Sequence, residues 1–415
     1  MADVTVICKR TVVSTTPIQP GKFHNLSVLD RIMEPYNLRL VFYYQTPVEL
    51  ELGKATKKLS ESFSEMLTSF PMVTGRLQKT PQGNWKVKCN DAGVRTIEAR
   101  AKGSVEDWLK GVDGEKELKL VYWEDMFHKP YFWSTFYLQI TDCTHMLADA
   151  ICATMLVKAW ADMTLCGKFT PPNAHLLPFR SNKDVNCLDL MNYYKESTAI
   201  ISPSTKRYTA TTFMFGEEMV KKCMDEARTD EPFVALASLF WLSVSKVKGR
   251  NWGAMNMSIC VDRRKALGLD KGFFGNCMIF NRVFGEEIKE FGLMNAANAV
   301  KDGIEMMGSE GVMDLIEWLE SNTGKINGPD DFVCANWEGV DSYSTVFESG
   351  VKPVRVSYYF EGVSGEGQVL ILPCCDGGLS RVAMVTLRED EAVKLCEQTL
   401  ILRFSPTILM GEKKN

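Results

Sequence analysis

The chain has 415 residues, 45% of them hydrophobic and 24% charged, with 48 Lys plus Arg against 52 Asp plus Glu and a net charge of −4. That balance excludes a disordered, collagenous or low-complexity chain and lacks the basic excess of a nucleic-acid binder. Apolar runs such as Ser238–Val244 are far shorter than the roughly 18 residues of a membrane span, and the opening MADVTVICKRTVVS has no signal-peptide apolar region. The expectation is a cytosolic protein, or one on the cytosolic face of an organelle.

In chain order, residues 4–13 and 38–44 are rich in β-branched and aromatic side chains and read as strands, with a short helix over 26–33 between them. Residues 52–69 place apolar side chains at helical spacing and end in the turn FPMVTGRL. Strands are expected at 85–89 and 94–99, a helix over 104–109 with Ser104 as N-cap, and an aromatic strand over 131–140. An amphipathic helix runs from 148 to Gly167. Residues 168–206 carry four Pro and little periodicity, so 171–206 is the expected crossover linker. Beyond it, strands are expected at 207–215, 254–261, 277–283, 331–337, 354–360, 368–373 and 380–387, and helices at 216–227, 233–248, 286–307, 311–321 and 389–400. Mixed elements in both halves imply an α/β (α+β) chain of two lobes, near 1–170 and 207–415.

The thirteen cysteines run from Cys8 to Cys396 without a CxxC, and they read as reduced, mostly buried thiols. The four histidines, His24, His128, His145 and His175, have no His or Cys at metal-ligand spacing, so no metal is expected. Gly362–Gly367 lies between two strands without a following helix and reads as a hairpin turn rather than a phosphate loop. Cys143 and His145 are two apart, a spacing that allows a thiol–imidazole pair, although a buried thiol explains Cys143 as well. Lys57–Lys58 reads as a solvated helix face.

Three segments carry more specific chemistry. His145-Met-Leu-Ala-Asp149 lies where a strand gives way to a helix, a place that can expose an imidazole able to accept a proton near neutral pH. Asp149 in the first helical turn suits the helix dipole, and by itself the pattern fits a core histidine equally well. Asp262-Arg263-Arg264 ends a strand and is followed by Gly272-Phe273-Phe274-Gly275-Asn276. Tyr343-Ser-Thr-Val-Phe347-Glu-Ser-Gly350-Val-Lys352-Pro353 precedes another strand.

In this order and at these separations the three segments resemble the BAHD family of plant acyl-CoA-dependent acyltransferases, over essentially the whole chain. Stretches such as VTVICKRTVVSTTPIQPGKFHNLSVLD, WEDMFHKPYFWSTFYLQIT and YYFEGVSGEGQVLILP are similar to its eceriferum/glossy branch, which acts in cuticular wax formation. The resemblance implies a two-lobed chloramphenicol-acetyltransferase-like fold with a channel between the lobes, an acyl-CoA co-substrate, no bound cofactor and a monomer. It implies that His145 is the general base and that Asp149 pairs with Arg264 to hold the loop. Phe274, Gly275 and Asn276 would lie on the thioester side, with Phe347 and Gly350 in the element shaping that side. Lys246 and Lys248, near Arg250, would meet the phosphates of coenzyme A.

Two departures bear on function. The family's DFGWG element reads Val346-Phe347-Glu348-Ser349-Gly350, without its Asp and Trp, and the second Arg of the DxRxR pattern is Ala266. Family members also carry a longer segment before the histidine, with a second apolar strand, whereas here Ile140 lies five residues from His145. The hairpin presenting His145 is therefore expected to lack its second strand. Two functions follow. One is acyl transfer to a hydroxyl or amine, in very-long-chain fatty acid and wax metabolism. The other is a catalytically silent accessory role beside the condensing enzyme of the fatty-acid elongase, on the cytosolic face of the endoplasmic reticulum.

Overall fold

The computed structural model describes residues 4–411 except 35, 46–51, 82–84, 102, 123–133, 140–141, 145–148, 174–176, 178–187, 197–207, 251–252, 289–291, 323–328, 330 and 362–364. The first half contains β1 (Val4–Val12), β2 (Phe23–Asn25), α1 (Val28–Ile32), β3 (Asn37–Tyr44), α2 (Leu52–Leu67), β4 (Arg76–Lys79), β5 (Trp85–Lys88), β6 (Val94–Ala101), α3 (Val105–Lys110), α4 (Gly114–Leu118), β7 (Phe136–Leu138), β8 (Asp142–Thr144), α5 (Ala150–Cys166) and α6 (Leu188–Glu196). The second contains β9 (Tyr208–Phe215), α7 (Glu217–Ala227), α8 (Pro232–Val247), β10 (Met257–Asp262), β11 (Met278–Val283), α9 (Leu293–Glu305), α10 (Ser309–Ser321), β12 (Phe332–Asn336), β13 (Pro353–Glu361), β14 (Gln368–Pro373), β15 (Arg381–Arg388), α11 (Glu389–Cys396), α12 (Thr399–Leu402) and β16 (Thr407–Met410).

Two large sheets organise these elements. The first has the order β1-β6-β7-β8-β3-β13 and the second β11-β10-β12-β14-β15-β9-β16, while β2-β5-β4 form a small third sheet. In the second sheet β10, β12 and β14 are parallel neighbours, flanked by antiparallel partners. Strands of this sheet are almost wholly buried, as expected for a sheet covered on both faces. Its principal cover is α8, whose residues Phe233–Ser245 are all buried. The hydroxyls of Ser238, Ser243 and Ser245 donate to the carbonyls of Val234, Leu239 and Trp241 one turn back, so three polar groups enter the core satisfied.

The chain does not divide cleanly at the crossover. β13, from the second half, pairs along its whole length with β3 and completes the first sheet. β13 and β14 therefore lie in different sheets and are not the two arms of the expected hairpin, and 362–364 of its turn lie outside the described residues. The physical reason is that β13 spends its ladder on β3 and β14 on β12 and β15. Arg31 adds a second tie, donating to the carbonyls of Leu319 (2.9 Å) and Asn322 (2.8 Å) at the end of α10. Within the crossover, α6 docks Leu190, Met191, Tyr193 and Tyr194 into the core, and the Tyr194 hydroxyl accepts from the Phe280 amide.

Three further differences from the sequence reading concern boundaries. The helix expected from 286 starts at Leu293, with Gly292 as N-cap. Gly285 is held against the second sheet, where its carbonyl accepts from the Ala254 amide, and the chain makes a 3₁₀ turn over 285–287 instead. The described part of the aromatic strand is confined to Phe136–Leu138. Most consequential, the hairpin before His145 does have its second strand. β7 and β8 pair at Phe136↔Cys143 and Tyr137↔Asp142, and β8 continues onto β3 at Arg39↔Asp142, Leu38↔Cys143 and Asn37↔Thr144. Three residues suffice because β3 supplies a full-length template on the far side.

Beneath α3 and α4 a small separate core centres on Glu117, which is fully buried. Its carboxylate accepts from the hydroxyls of Tyr43 (2.6 Å), Ser357 (2.9 Å) and Tyr359, pinning α4 to β3 and β13. Burial, reinforced by the Glu117 charge, raises both tyrosines far above their ordinary range, so they stay donors. Glu117→Ala strands three buried hydroxyls, and at about 1–3 kcal/mol for each orphaned group its unfolding midpoint in urea falls well below that of wild type. Glu117→Gln, which keeps the acceptor, recovers part of the loss.

Candidate functional site

The site is built where α5 begins. β8 ends at Thr144 and α5 opens with Asp149 as N-cap, so the HxxxD segment spans the interval between a paired strand and a capped helix. His145 itself, with 146–148, lies outside the described residues, as do the side chains of 142–144, so the Cys143–His145 spacing has no described geometry. At its other end α5 stops on Gly167 in the left-handed region, at φ 66°, where a residue with a Cβ is strained.

Asp149 is completely buried and fully used. Its Oδ1 accepts from the Cys152 amide at 3.0 Å, satisfying one orphan donor of the first turn. Its Oδ2 accepts from the Cys277 amide at 3.1 Å. Arg264 Nη2 donates to both oxygens, at 3.0 and 2.8 Å. The same guanidinium donates to the Gly275 carbonyl (2.6 Å), to Asp262 Oδ1 (2.7 Å) and to the Cys152 sulfur (3.1 Å). Burial opposes its charge, but Asp149 foremost, then Cys152 and Asp262, outweigh that and hold Arg264 well above its ordinary range. One cation thereby ties the start of α5, the end of β10 and the loop 273–275. Cys152 is a neutral packing thiol here, because burial and then the Asp149 charge push it far above the ordinary cysteine range.

Phe274, Gly275 and Asn276 are drawn into the same knot. Phe274 is buried and meets Phe70 edge-to-face at 5.5 Å. A Cβ on Gly275 would sit 2.9 Å from the Phe273 ring, so a larger residue there would have to push that buried ring aside. Asn276 is fully buried and its Nδ2 donates to Asp30 Oδ1 at 2.6 Å. Asp30 belongs to the capping box of α1, where its Oδ2 accepts from the Ser27 amide at 2.6 Å. Burial pushes Asp30 up to about 6, against the lowering by hydrogen bonds from Asn276 and Ser27. Asp30 and Cys152 were not singled out by the sequence. Ser27-x-x-Asp30 is a visible capping signature, but its second partner is 246 positions away.

The remaining candidates lie apart. Phe347 is wedged between Trp160 of α5 (4.6 Å between rings) and Tyr44 of β3 (5.7 Å). Gly350, at φ 78°, turns the chain so that Glu348 bridges to Val351. Lys246 is exposed near the end of α8. Lys248, just beyond it, is held between Glu391 (3.0 Å) and Glu366 (2.8 Å), with only 8% of its side chain exposed. Among the described residues, the one group with metal-ligand chemistry is the consecutive Cys374, Cys375 and Asp376, a local cluster rather than a convergent one.

A cavity of about 630 Å³ lies between the first sheet and helices α2 and α5. Leu59 and Phe63 of α2, Val157 and Trp160 of α5, Phe42 and Tyr44 of β3, and Phe347 form much of its wall. Its size is that of a small-molecule site.

The model of the Transferase family matches residues 2–399. The chain belongs to that family, the BAHD acyltransferases. Protein ECERIFERUM 26-like of Arabidopsis thaliana is 24% identical over 416 aligned positions, covering 93% of this chain and 92% of the relative. Among solved structures, vinorine synthase superimposes with a TM-score of 0.74 at 17% identity, covering 95% of this chain and 98% of the other. TRI101 of F. graminearum, complexed with coenzyme A and deoxynivalenol, gives 0.70 at 13% identity, covering 94% and 100%. The two sheets are thus the two lobes of this fold, and members of the family take CoA-bound substrates without a metal or bound cofactor. Among the described residues no helix is long and apolar enough to cross a membrane.

Two outcomes follow from the knot. Arg264→Ala leaves the Asp149 carboxylate buried without its counter-charge and costs about 3–5 kcal/mol in urea unfolding. Arg264→Lys recovers little, since one ammonium cannot replace the planar fork. For Asp30 the folded carboxyl titrates near 6 against an ordinary value of 3.8. The folded state binds the extra proton, so this contribution is whole below pH 3.8 and is lost as pH rises through 6, a change on the order of 3 kcal/mol. Asp30→Asn removes that slope from the stability–pH profile between pH 4 and 6.5.

Proposed function

We propose that the chain transfers an acyl group from acyl-CoA to a hydroxyl or amine acceptor, with His145 as general base. His145 takes the proton of the acceptor. The freed oxygen or nitrogen attacks the thioester carbonyl, the tetrahedral intermediate expels the CoA thiolate, and the thiolate takes a proton from the imidazolium. The observation that carries this reading is the Asp149–Arg264 pair, joined to a paired β7–β8 hairpin that ends one residue before His145. The described residues on either side of the HxxxD segment are anchored, Thr144 on β3 and Asp149 at the start of α5, which supports a positioned base. Asp149 acts as a positioning residue through Arg264 rather than on the substrate. Phe274, Gly275 and Asn276 shape the thioester side from behind, and Phe347 and Gly350 border it. Lys246 and Lys248 are assigned to the CoA phosphates, and Lys248 also keeps Glu391 and Glu366. The lobes are drawn mainly from 1–170 and 207–415 around the crossover 171–206, with β13 returning to the sheet of the first. The protein acts as a monomer, in the cytoplasm and on the cytosolic face of the endoplasmic reticulum, in very-long-chain fatty acid and wax metabolism, where its eceriferum relative supports the assignment.

A second reading has its own support. Val346 and Ser349 stand where the family's DFGWG element has its Asp and Trp, while Phe347 keeps the Phe and packs on Trp160 and Tyr44, so this element is retained as a structural plug. That suits an accessory protein that promotes chain extension by the elongase condensing enzyme without turnover. Co-expression with a very-long-chain elongase in a host that makes no wax separates the two. Under the transferase reading His145→Ala lowers product by about 10²–10⁴-fold, with protein level and unfolding midpoint unchanged. Equal lengthening of acyl chains by wild type and His145→Ala overturns it in favour of the accessory role.

A further inference from the structure

The first sheet is incomplete in a way that the register of its strands defines. β6, β7 and β3 run in the same direction, with Arg95 and Thr96 of β6 paired to Tyr137 and Leu138 of β7. β8 reaches β3 only as far as Arg39. Past the tip of the β7–β8 hairpin, Ile97–Ala101 of β6 and Leu40–Tyr44 of β3 have outer partners, β1 and β13, but no inner partner among the described residues. The two edges lie three strand spacings apart, about 14 Å. The cavity of about 630 Å³ occupies this slot, since Ile97, Glu98 and Ala99 line it from one edge and Phe42 and Tyr44 from the other.

Its floor is made by helices. Thr56, Leu59, Ser60 and Phe63 of α2 follow helical spacing along it, and Val157, Trp160 and Thr164 of α5 do the same. The helices are locked together, Trp160 Nε1 donating to the Leu59 carbonyl (3.0 Å) and Ser62 sharing a hydrogen bond with Thr164 (2.7 Å), so the floor cannot collapse into the slot. Polar groups gather at the rim, where exposed Arg10 pairs with Glu98 at 3.4 Å and Lys58 and Glu348 stand nearby.

We propose that this slot binds one unbranched aliphatic chain along the strand direction, with its polar end at the Arg10–Lys58 rim. A peptide strand would need both edges bridged and would bring polar backbone onto an apolar floor. A hydrocarbon chain makes no hydrogen bonds, lies on the floor of the slot and covers Leu59, Phe63, Val157 and Trp160. The aliphatic chain can belong to an acyl thioester or to a long-chain alcohol. Only this choice rests on the acyl-transfer reading, since the slot itself is defined without reference to His145. The short hairpin is then a device that opens a lipid slot in the sheet, rather than a loss.

The test is calorimetric binding of non-transferable alkyl-CoA thioethers and of primary alkanols, each as an even-numbered series from octyl to eicosyl, with unacylated CoA as reference. Affinity is expected to rise about fourfold per methylene and then to plateau once the slot is full. Ala99→Trp and Ser60→Trp fill it from opposite walls. Both are expected to lose at least tenfold in affinity for the longest chains and to shorten the plateau length, with CoA binding and the thermal midpoint unchanged. A plateau in the thioether series alone assigns the chain to the acyl donor, and one in the alkanol series alone assigns it to the acceptor. Affinity independent of chain length, or two folded Trp variants that bind long chains as wild type does, overturns the proposal. His145→Ala, which tests transfer, is expected to bind the long chains normally, so failure of the transferase reading and failure of the slot are distinguishable.

Discussion

A buried ion pair that cannot be let go organises this molecule. Asp149 and Arg264 are 115 positions apart and both excluded from water, and neither tolerates loss of the other, because an isolated charge in that surrounding is costly. The pair is also saturated. Asp149 caps α5 and holds the Cys277 amide, while Arg264 gathers Asp262, the Gly275 carbonyl and the Cys152 sulfur. Such a network is worth its desolvation only when every member is satisfied, and here the second lobe supplies the cation while the first supplies the anion. The N-terminus of α5, and with it the exit from the HxxxD segment, is positioned by the fold of the other half of the chain.

The same reciprocity recurs at other scales. β13 leaves the second half to complete the first sheet, Arg31 of α1 caps the carbonyls at the end of α10, and Asn276 reaches back to Asp30 in α1. One contiguous cluster of buried apolar residues runs from Val28 through Phe404. The lobes are therefore not beads joined by a linker. The crossover contributes α6 to that core, through Leu190 and Tyr193.

The short β7–β8 hairpin illustrates how a brief pairing in mid-sheet is accommodated. Removing strand length from the middle of a sheet would normally expose unpaired backbone on both sides. Here β1 and β13 hold the outer ladders, α2 and α5 hold the floor, and a cavity remains beside the hairpin. Phe347, standing in an element that has lost its usual Asp and Trp, becomes part of the wall of that volume through Trp160 and Tyr44.

Much of this was legible in the residues. β-branched runs and helical spacing located most of the strands and long helices, because those patterns reflect local burial. The order of the motifs placed the chain in its family, and the pairing of Asp149 with Arg264 was expected from that resemblance. What the sequence could not convey was partnership at a distance. Nothing local to Gln368 says that its strand lies in a different sheet from Phe360, although the Gln368 side chain donates to the Phe360 carbonyl at 2.8 Å. Nothing local to Asp30 says that it will meet Asn276, nor does the length of 136–144 reveal that three residues per strand are enough when β3 is the template. By itself the sequence determined which segments must be buried and which residues carry charge and proton-transfer chemistry, since those are properties of single side chains and their near neighbours. The tertiary structure alone decided which charges are neutralised, which strands share a sheet and where empty volume remains, because each of those is settled by packing and desolvation between segments far apart in the chain.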